Sequence, residues 1–214
     1  IDGKSDSTTN QRFGRAQATL KLLDDRWVHR LGFSGGDTKT NSFSNGPQTS
    51  KFEGFRKKID YQSDFTFATD VAVDAVHTLS FGTDYLNDSA ISRSSFSNFD
   101  KSLETQSVWG LYQIGLAEQF FFTGGARFDD GDMFEDATTY RMTAAWKIFD
   151  TGAKLRGSYG TGVKNPTLFE LYGFAANFRP NPDLDPEFGR GWDIGVDQEV
   201  LDGRITLGAT YFEQ

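Results

Sequence analysis

The 214-residue chain has no cysteine and only two histidines, His29 and His77. Disulfides, thiolate zinc sites and a cysteine nucleophile are excluded, and little is left for a histidine-based metal or acid–base centre. Positive charge is also short. Lys and Arg number 22 against 30 Asp and Glu, a net charge of −8, where nucleic-acid binding calls for a basic face. No stretch approaches the roughly 18 uncharged apolar residues of a membrane-spanning helix. Hydrophobic residues make up only 37% of the chain, yet 15% are aromatic, with 21 Phe. A weakly apolar, acidic, Phe- and Gly-rich chain is what alternating strands with one greasy face and one wet face produce.

Ten strand-like runs follow one another. In the first, Arg12 to Leu23, Ala16, Ala18, Leu20 and Leu22 alternate with Arg15, Gln17, Thr19 and Lys21. The second sets Trp27, His29, Leu31 and Phe33 against Val28, Arg30, Gly32 and Ser34, and the third sets Ile59, Tyr61, Phe65 and Phe67 against Lys58, Asp60, Gln62 and Asp64. The fourth carries Leu79, Phe81 and Tyr85, and the fifth Val108, Tyr112, Ile114 and Leu116. The later runs alternate more cleanly, as in Tyr140, Met142, Ala144, Trp146 and Ile148 opposite Arg141, Thr143, Ala145 and Lys147. Leu155, Gly157 and Tyr159 then oppose Lys154, Arg156 and Ser158.

Short turns are expected near residues 25, 73, 118, 151 and 202, and longer polar loops near 45, 95, 133 and 175. Short turns at one end and long loops at the other are the mark of a transmembrane barrel. The runs, at about 9–12 residues, match the length a tilted strand needs to cross a bilayer. A Lys or Arg facing lipid at mid-membrane costs roughly 2–4 kcal/mol, so the apolar face is expected outside and the charged face inside. Trp27, Phe67, Phe120, Trp146 and Ile148 lie near short turns, as an interfacial girdle would. The fold class is therefore all-β, an antiparallel up-and-down transmembrane barrel of about ten strands. A soluble barrel or sandwich is the competing architecture.

Four of the five prolines, Pro166, Pro180, Pro182 and Pro186, fall in one stretch from about Gly162 to Phe188. Proline removes a ladder donor and fixes φ, so this stretch has to leave the sheet as a semi-rigid loop. It reads Tyr159-Gly-Thr-Gly162-Val-Lys164-Asn-Pro166-Thr-Leu168-Phe-Glu170-Leu171-Tyr172, then Asn181-Pro182-Asp-Leu184-Asp-Pro186-Glu187. In this paired pattern the chain resembles the TonB-dependent outer-membrane transporters, with spacing similar to the vitamin B12 and siderophore receptor branch. Lys164, Pro166, Leu171, Tyr172, Asn181, Pro182, Leu184, Pro186 and Glu187 carry the resemblance, which covers residues 157–214. No histidine lies between the two motifs, unlike the haem-receptor branch.

The resemblance implies a bacterial outer-membrane protein with a 22-stranded barrel, a plug and a TonB-contacting box. Residues 1–214 are then a partial barrel domain without the plug, and an internal piece of a larger wall. A self-closed ten-stranded barrel is the lesser expectation. The implied partners are a siderophore or corrinoid ligand, the TonB system through the plug, and outer-membrane lipid, with no nucleic acid. Phe169, Tyr172, Phe174, Phe178 and Arg179 are candidate ligand contacts, since aromatics plus a cation suit a bulky chelate or corrin. Packing of the loop against its neighbours is the plainer use of the same residues. No cofactor is expected. Asp129, Asp130, Asp132 and Asp136 form an oxygen-rich stretch suited to calcium, although not at EF-hand spacing. Gly32-Phe-Ser34-Gly-Gly36 fits a nucleophile-elbow pattern but lacks a following helix, and His77 is the only later histidine. No enzyme is expected. A passive porin-type channel and, behind it, an outer-membrane enzyme barrel are the alternative functions.

Overall fold

The computed structural model describes residues 4–174 and 178–214. Ten strands follow in order: β1 (Ser5–Leu22), β2 (Trp27–Ser44), β3 (Gln48–Thr69), β4 (Ala75–Ser94), β5 (Asn98–Leu116), β6 (Phe120–Gly131), β7 (Ala137–Ile148), β8 (Ala153–Lys164), β9 (Glu187–Val200) and β10 (Ile205–Glu213). One short helix, α1 (Leu168–Tyr172), interrupts the segment between β8 and β9. The strands form a single antiparallel up-and-down sheet in the order β1 to β10, with β1 and β10 as its two open edges among the described residues.

The pairing register sorts the side chains into two faces. Ala16 pairs with Phe33, Phe33 with Ile59, and Ile59 with Tyr85, and all lie on one side. The same side continues through Val108–Phe128, Gly124–Met142, Met142–Tyr159, Gly157–Ile194 and Ile194–Tyr211. The opposite side holds Arg15, Arg30, Lys58, Arg127, Arg141, Lys154 and Arg156, since side chains alternate along a strand. Both expected sides are therefore found: Tyr140 and Leu155 lie on the apolar face, each 42% exposed, with Arg141 and Lys154 on the polar one.

The sheet has almost no core of its own. Among the described residues the buried apolar side chains are Ala75, Ala90, Phe99, Ala137, Leu168 and Leu171. The large ones, by contrast, stand exposed: Met142 is 60% exposed and Ile194 58%. An exposed apolar patch this wide is stable only against an apolar medium. The apolar face is bounded at each end by aromatics. Tyr140–Tyr159 (5.9 Å) and Trp192–Tyr211 (5.5 Å) line one border, Phe120–Trp146 (5.7 Å) and Trp27–Phe65 (6.3 Å) the other.

Outer-face alternation is broken at Ser63, and the structure gives the reason. Ser63 is completely buried, and its hydroxyl accepts a 2.9 Å hydrogen bond from the Trp27 indole. The indole N–H is thus satisfied on a face where water is scarce.

Two expectations are corrected. The polar stretches 39–52 and 87–102 are not long loops. They are the far halves of β2, β3, β4 and β5, joined by tight connections at 45–47 and 95–97. The strands β1 to β5 consequently run 18–22 residues, well beyond the 9–12 expected. Beyond the aromatic border both faces meet water, so no hydrophobic alternation marks these strands, and ladder hydrogen bonds with cross-strand ion pairs hold them. Lys39 and Lys51 flank Glu53 at 3.0 and 2.8 Å on such an extension, and their hydrogen bonds hold its carboxyl below the ordinary range. Tight connections at 23–26, 117–119, 149–152 and 201–204 lie where expected; in the first, second and last, both central residues of the hydrogen-bonded turn have positive φ, as type I′ hairpin turns require.

Candidate functional site

The chain leaves the sheet after β8, and the described residues 165–174 and 178–186 lie over the polar face, at the end of β3–β5 that projects past the aromatic border. The anchor is α1. Thr167 caps the helix: its hydroxyl accepts from the Glu170 amide at 3.2 Å, while the Glu170 carboxylate accepts from the Thr167 amide at 2.7 Å. This reciprocal pair satisfies two otherwise orphaned amides. The Thr167 amide and hydroxyl, together with Lys164, hold the Glu170 carboxyl below its usual range. Leu168 and Leu171 are both buried, Leu171 being 1% exposed. Leu168 packs with Ala90 and Phe99, and Phe52, Leu103, Met133 and Tyr172 close around them.

The two halves of the paired motif meet at the base of this segment. Lys164, the last residue of β8, reaches Glu187, the first of β9, at 3.4 Å and Glu170 at 4.0 Å. The Asn181 amide donates to the Glu170 carbonyl at 3.1 Å, and the Asn181 side chain accepts from the Asp183 amide at 3.1 Å. Leu184 donates back to the Asn181 carbonyl at 3.4 Å. Pro166, Pro182 and Pro186 fix the chain where it has no ladder to join. Lys164, Asn181 and Glu187 thus act together as a clasp that sets the shape of the segment.

The five aromatic and cationic candidates are all engaged within the chain. Phe169 stacks on Phe178 at 5.4 Å, and Phe174 stacks on Phe96 at 5.4 Å with the Arg179 guanidinium 4.5 Å from its centre. Tyr172 packs on Phe99 at 6.0 Å with the Lys101 ammonium 5.1 Å away. Phe169 keeps 41% of its surface exposed and borders a cavity of about 800 Å³ between the segment and the polar face of β1–β5. Phe13, Phe52, Arg15 and Arg56 line the wall side of that cavity. Sequence reading missed them. The one signal available was Phe13, an aromatic on the polar parity of its strand.

The acidic stretch is not gathered. Asp129 lies on β6 and takes a 2.8 Å bond from the Arg127 guanidinium, whereas Asp130 has the opposite parity. Asp132 accepts from the Glu104 amide at 2.8 Å. Among the described residues no three acidic or histidine side chains converge as a metal cage would, and Asp136 joins none. The nucleophile-elbow pattern lies within β2, with Ser34 opposite Arg15 on the polar face and no helix after it. Both histidines are on the apolar face, where the His29 Nδ1 meets the Tyr61 hydroxyl at 2.8 Å and the His77 Nδ1 meets that of Tyr112 at 2.7 Å.

Mid-wall, the polar face carries a cross-strand ion-pair ladder. Asp84 receives Lys58 at 3.0 Å and Arg127 at 2.8 Å, Arg15 holds Asp60 at 3.1 Å, Arg30 pairs with Asp64, and Arg156 reaches Asp197 at 3.1 Å. An apolar outer face, a charged inner face and a folded-in segment at the projecting end together define the wall of a transmembrane β-barrel. Over residues 1–214 the chain matches the family described as TonB dependent receptor-like, beta-barrel, and it belongs to that family. Solved structures agree in fold. A double mutant of the Serratia marcescens hemophore receptor HasR, in complex with its hemophore HasA and heme, is 17% identical with a TM-score of 0.74. That match covers 98% of this chain and 40% of HasR. The siderophore receptor PirA from Acinetobacter baumannii is 14% identical with a TM-score of 0.72, covering 96% of this chain and 34% of PirA. The RagAB peptide transporter is 14% identical with a TM-score of 0.71, covering 98% and 30%. The chain thus spans well under half the length of the structures it resembles.

Proposed function

We propose that the protein containing this chain lies in the bacterial outer membrane and takes up a scarce, large nutrient, a ferric siderophore or vitamin B12, in a step energised through TonB. The observation that carries the reading is the family match over the whole chain, on a wall whose greasy face suits lipid and whose charged face suits a water-filled or plugged lumen. Receptors for siderophores and for a heme-carrying hemophore are among the proteins of like fold. The chain would supply wall, lumenal charge and outer segments, with the rest of the barrel, the plug and the TonB contact supplied by other parts of a longer polypeptide. Uptake of this kind makes and breaks no covalent bond, so the protein is read as a transporter and not an enzyme.

The test is uptake of radiolabelled ferric siderophores and of cobalamin by cells expressing the full-length protein, with and without TonB. Uptake of one of them that disappears without TonB is expected. Uptake that persists without TonB, together with an open ionic conductance in planar bilayers, would identify a passive channel instead.

A further inference from the structure

On the apolar side of the sheet, the first row of residues past Phe33, Ile59 and Tyr85 toward the projecting end is Gly14–Gly35–Lys57–Asn87, and the next begins Arg12–Asp37–Phe55. Arg12 and Lys57 therefore point to the lipid side, by the same alternation that places Ala16 and Ile59 there. Both are exposed. Every other Lys and Arg of β1–β4 pairs with a carboxylate. Among the described residues Arg12 and Lys57 have no such partner, and Asp37, directly across from Arg12, does not pair with it. In a chain of net charge −8, with carboxylates to spare, the two cations left over are the outward ones nearest the hydrocarbon.

Between these cations the sheet is bare. A Cβ on Gly14 would meet nothing within 4 Å, and one on Gly35 would meet only the Arg56 carbonyl oxygen at 3.5 Å. The two glycines are cross-strand partners, so they leave one continuous shallow depression, with Arg12 beyond it on β1 and Lys57 beside it on β3. On the membrane side of the depression stand Phe33, 54% exposed, and Ile59, 49% exposed. Hydrocarbon gives way to headgroups at this height, and the long stems of Arg and Lys span that boundary. Lipid phosphates lie at the same height. Arg takes a phosphate through two nitrogens and Lys takes it as a point charge.

We infer that Arg12 and Lys57, with the bare backbone of Gly14 and Gly35 between them, hold the phosphate of a membrane lipid in the leaflet at the projecting end, its acyl chains lying over Phe33 and Ile59. The ligand is a phosphate-bearing lipid and not a free anion. Apolar side chains below the cations add binding only to a phosphate that carries chains, and anchoring in the leaflet raises its local concentration. This contact belongs to the lipid side of the wall and is independent of what the barrel takes up.

The experiment uses the purified full-length protein in a zwitterionic detergent, with phosphatidic acid and diacylglycerol of the same acyl chains as probes. Bound lipid is counted by native mass spectrometry. The two lipids differ only in the phosphate, and phosphatidic acid is expected to bind about tenfold or more tightly than diacylglycerol. Arg12→Gln and Lys57→Gln are each expected to weaken it about 5-fold, and the double variant about 25-fold. Arg12→Lys combined with Lys57→Arg keeps both charges and is expected to keep the affinity within about twofold. Arg141→Gln, on the opposite face, is expected to change nothing. Neither Arg12 nor Lys57 holds a carboxylate, so the replacements leave no charge unpaired and the wall intact. Equal binding of the two lipids, full affinity in the double Gln variant, or an equal loss in Arg141→Gln overturns the inference. Displacement of phosphatidic acid by inorganic phosphate at matched concentration also overturns it, since that would mark a site for a soluble anion.

Discussion

At the scale of single residues, the structure turns on a few side chains that satisfy what their neighbours leave open. The Thr167–Glu170 capping box is one. Thr167→Ala is expected to loosen α1 by about 1 kcal/mol, read as faster amide exchange over residues 168–172 with no change elsewhere. The carboxyl of Glu170 is depressed by hydrogen bonds from Thr167 and by Lys164, so its contribution is complete above the ordinary carboxylate range. It is lost as pH falls through the lowered value. Exchange in α1 is therefore expected to rise only in acid, and Glu170→Gln is expected to abolish that pH dependence. Gly82 is a second such position. A Cβ there would meet the Trp109 ring at 2.5 Å and the Tyr61 carbonyl oxygen at 2.6 Å. Gly82→Ala should destabilise the wall by roughly 1–3 kcal/mol, measured by thermal unfolding in detergent.

At the scale of elements, strands within the membrane were legible because one medium lies on each side of them. Tyr140 to Ile148 alternates without a break since every second residue faces hydrocarbon. The extensions of β2–β5 were not legible for the converse reason: residues such as Thr40, Asn41 and Ser42 have water on both sides, and polar sequence there reads as loop. The site shows the same division. Proline placement announced a segment off the sheet, and the motif named its clasp residues. Nothing local could show that Leu168, beyond β8, would seat on Ala90 of β4 and Phe99 of β5, with Leu171 buried beside it in the same helix, because that contact is set by how the segment crosses the sheet. The seat makes its own prediction. Leu171→Ala should cost about 2–4 kcal/mol of local stability and free the segment to limited proteolysis between Gly173 and Pro186, while the melting of the barrel stays nearly unchanged.

At the scale of the whole molecule, what holds the sheet together is division of labour between its faces. The polar face is knit by ion pairs such as Lys58–Asp84–Arg127, and the apolar face is stabilised only where hydrocarbon covers it. A compact apolar interior is absent among the described residues, which separates this wall from a soluble sandwich of the same strand count. The most direct test is site-directed spin labelling along β7 and β8 of the full-length protein in lipid, one cysteine at a time at positions 140, 141, 154 and 155. Labels at Tyr140 and Leu155 are expected to collide readily with oxygen dissolved in the bilayer, and labels at Arg141 and Lys154 with a water-soluble nickel reagent. Loss of that alternation, or its reversal, would contradict the account.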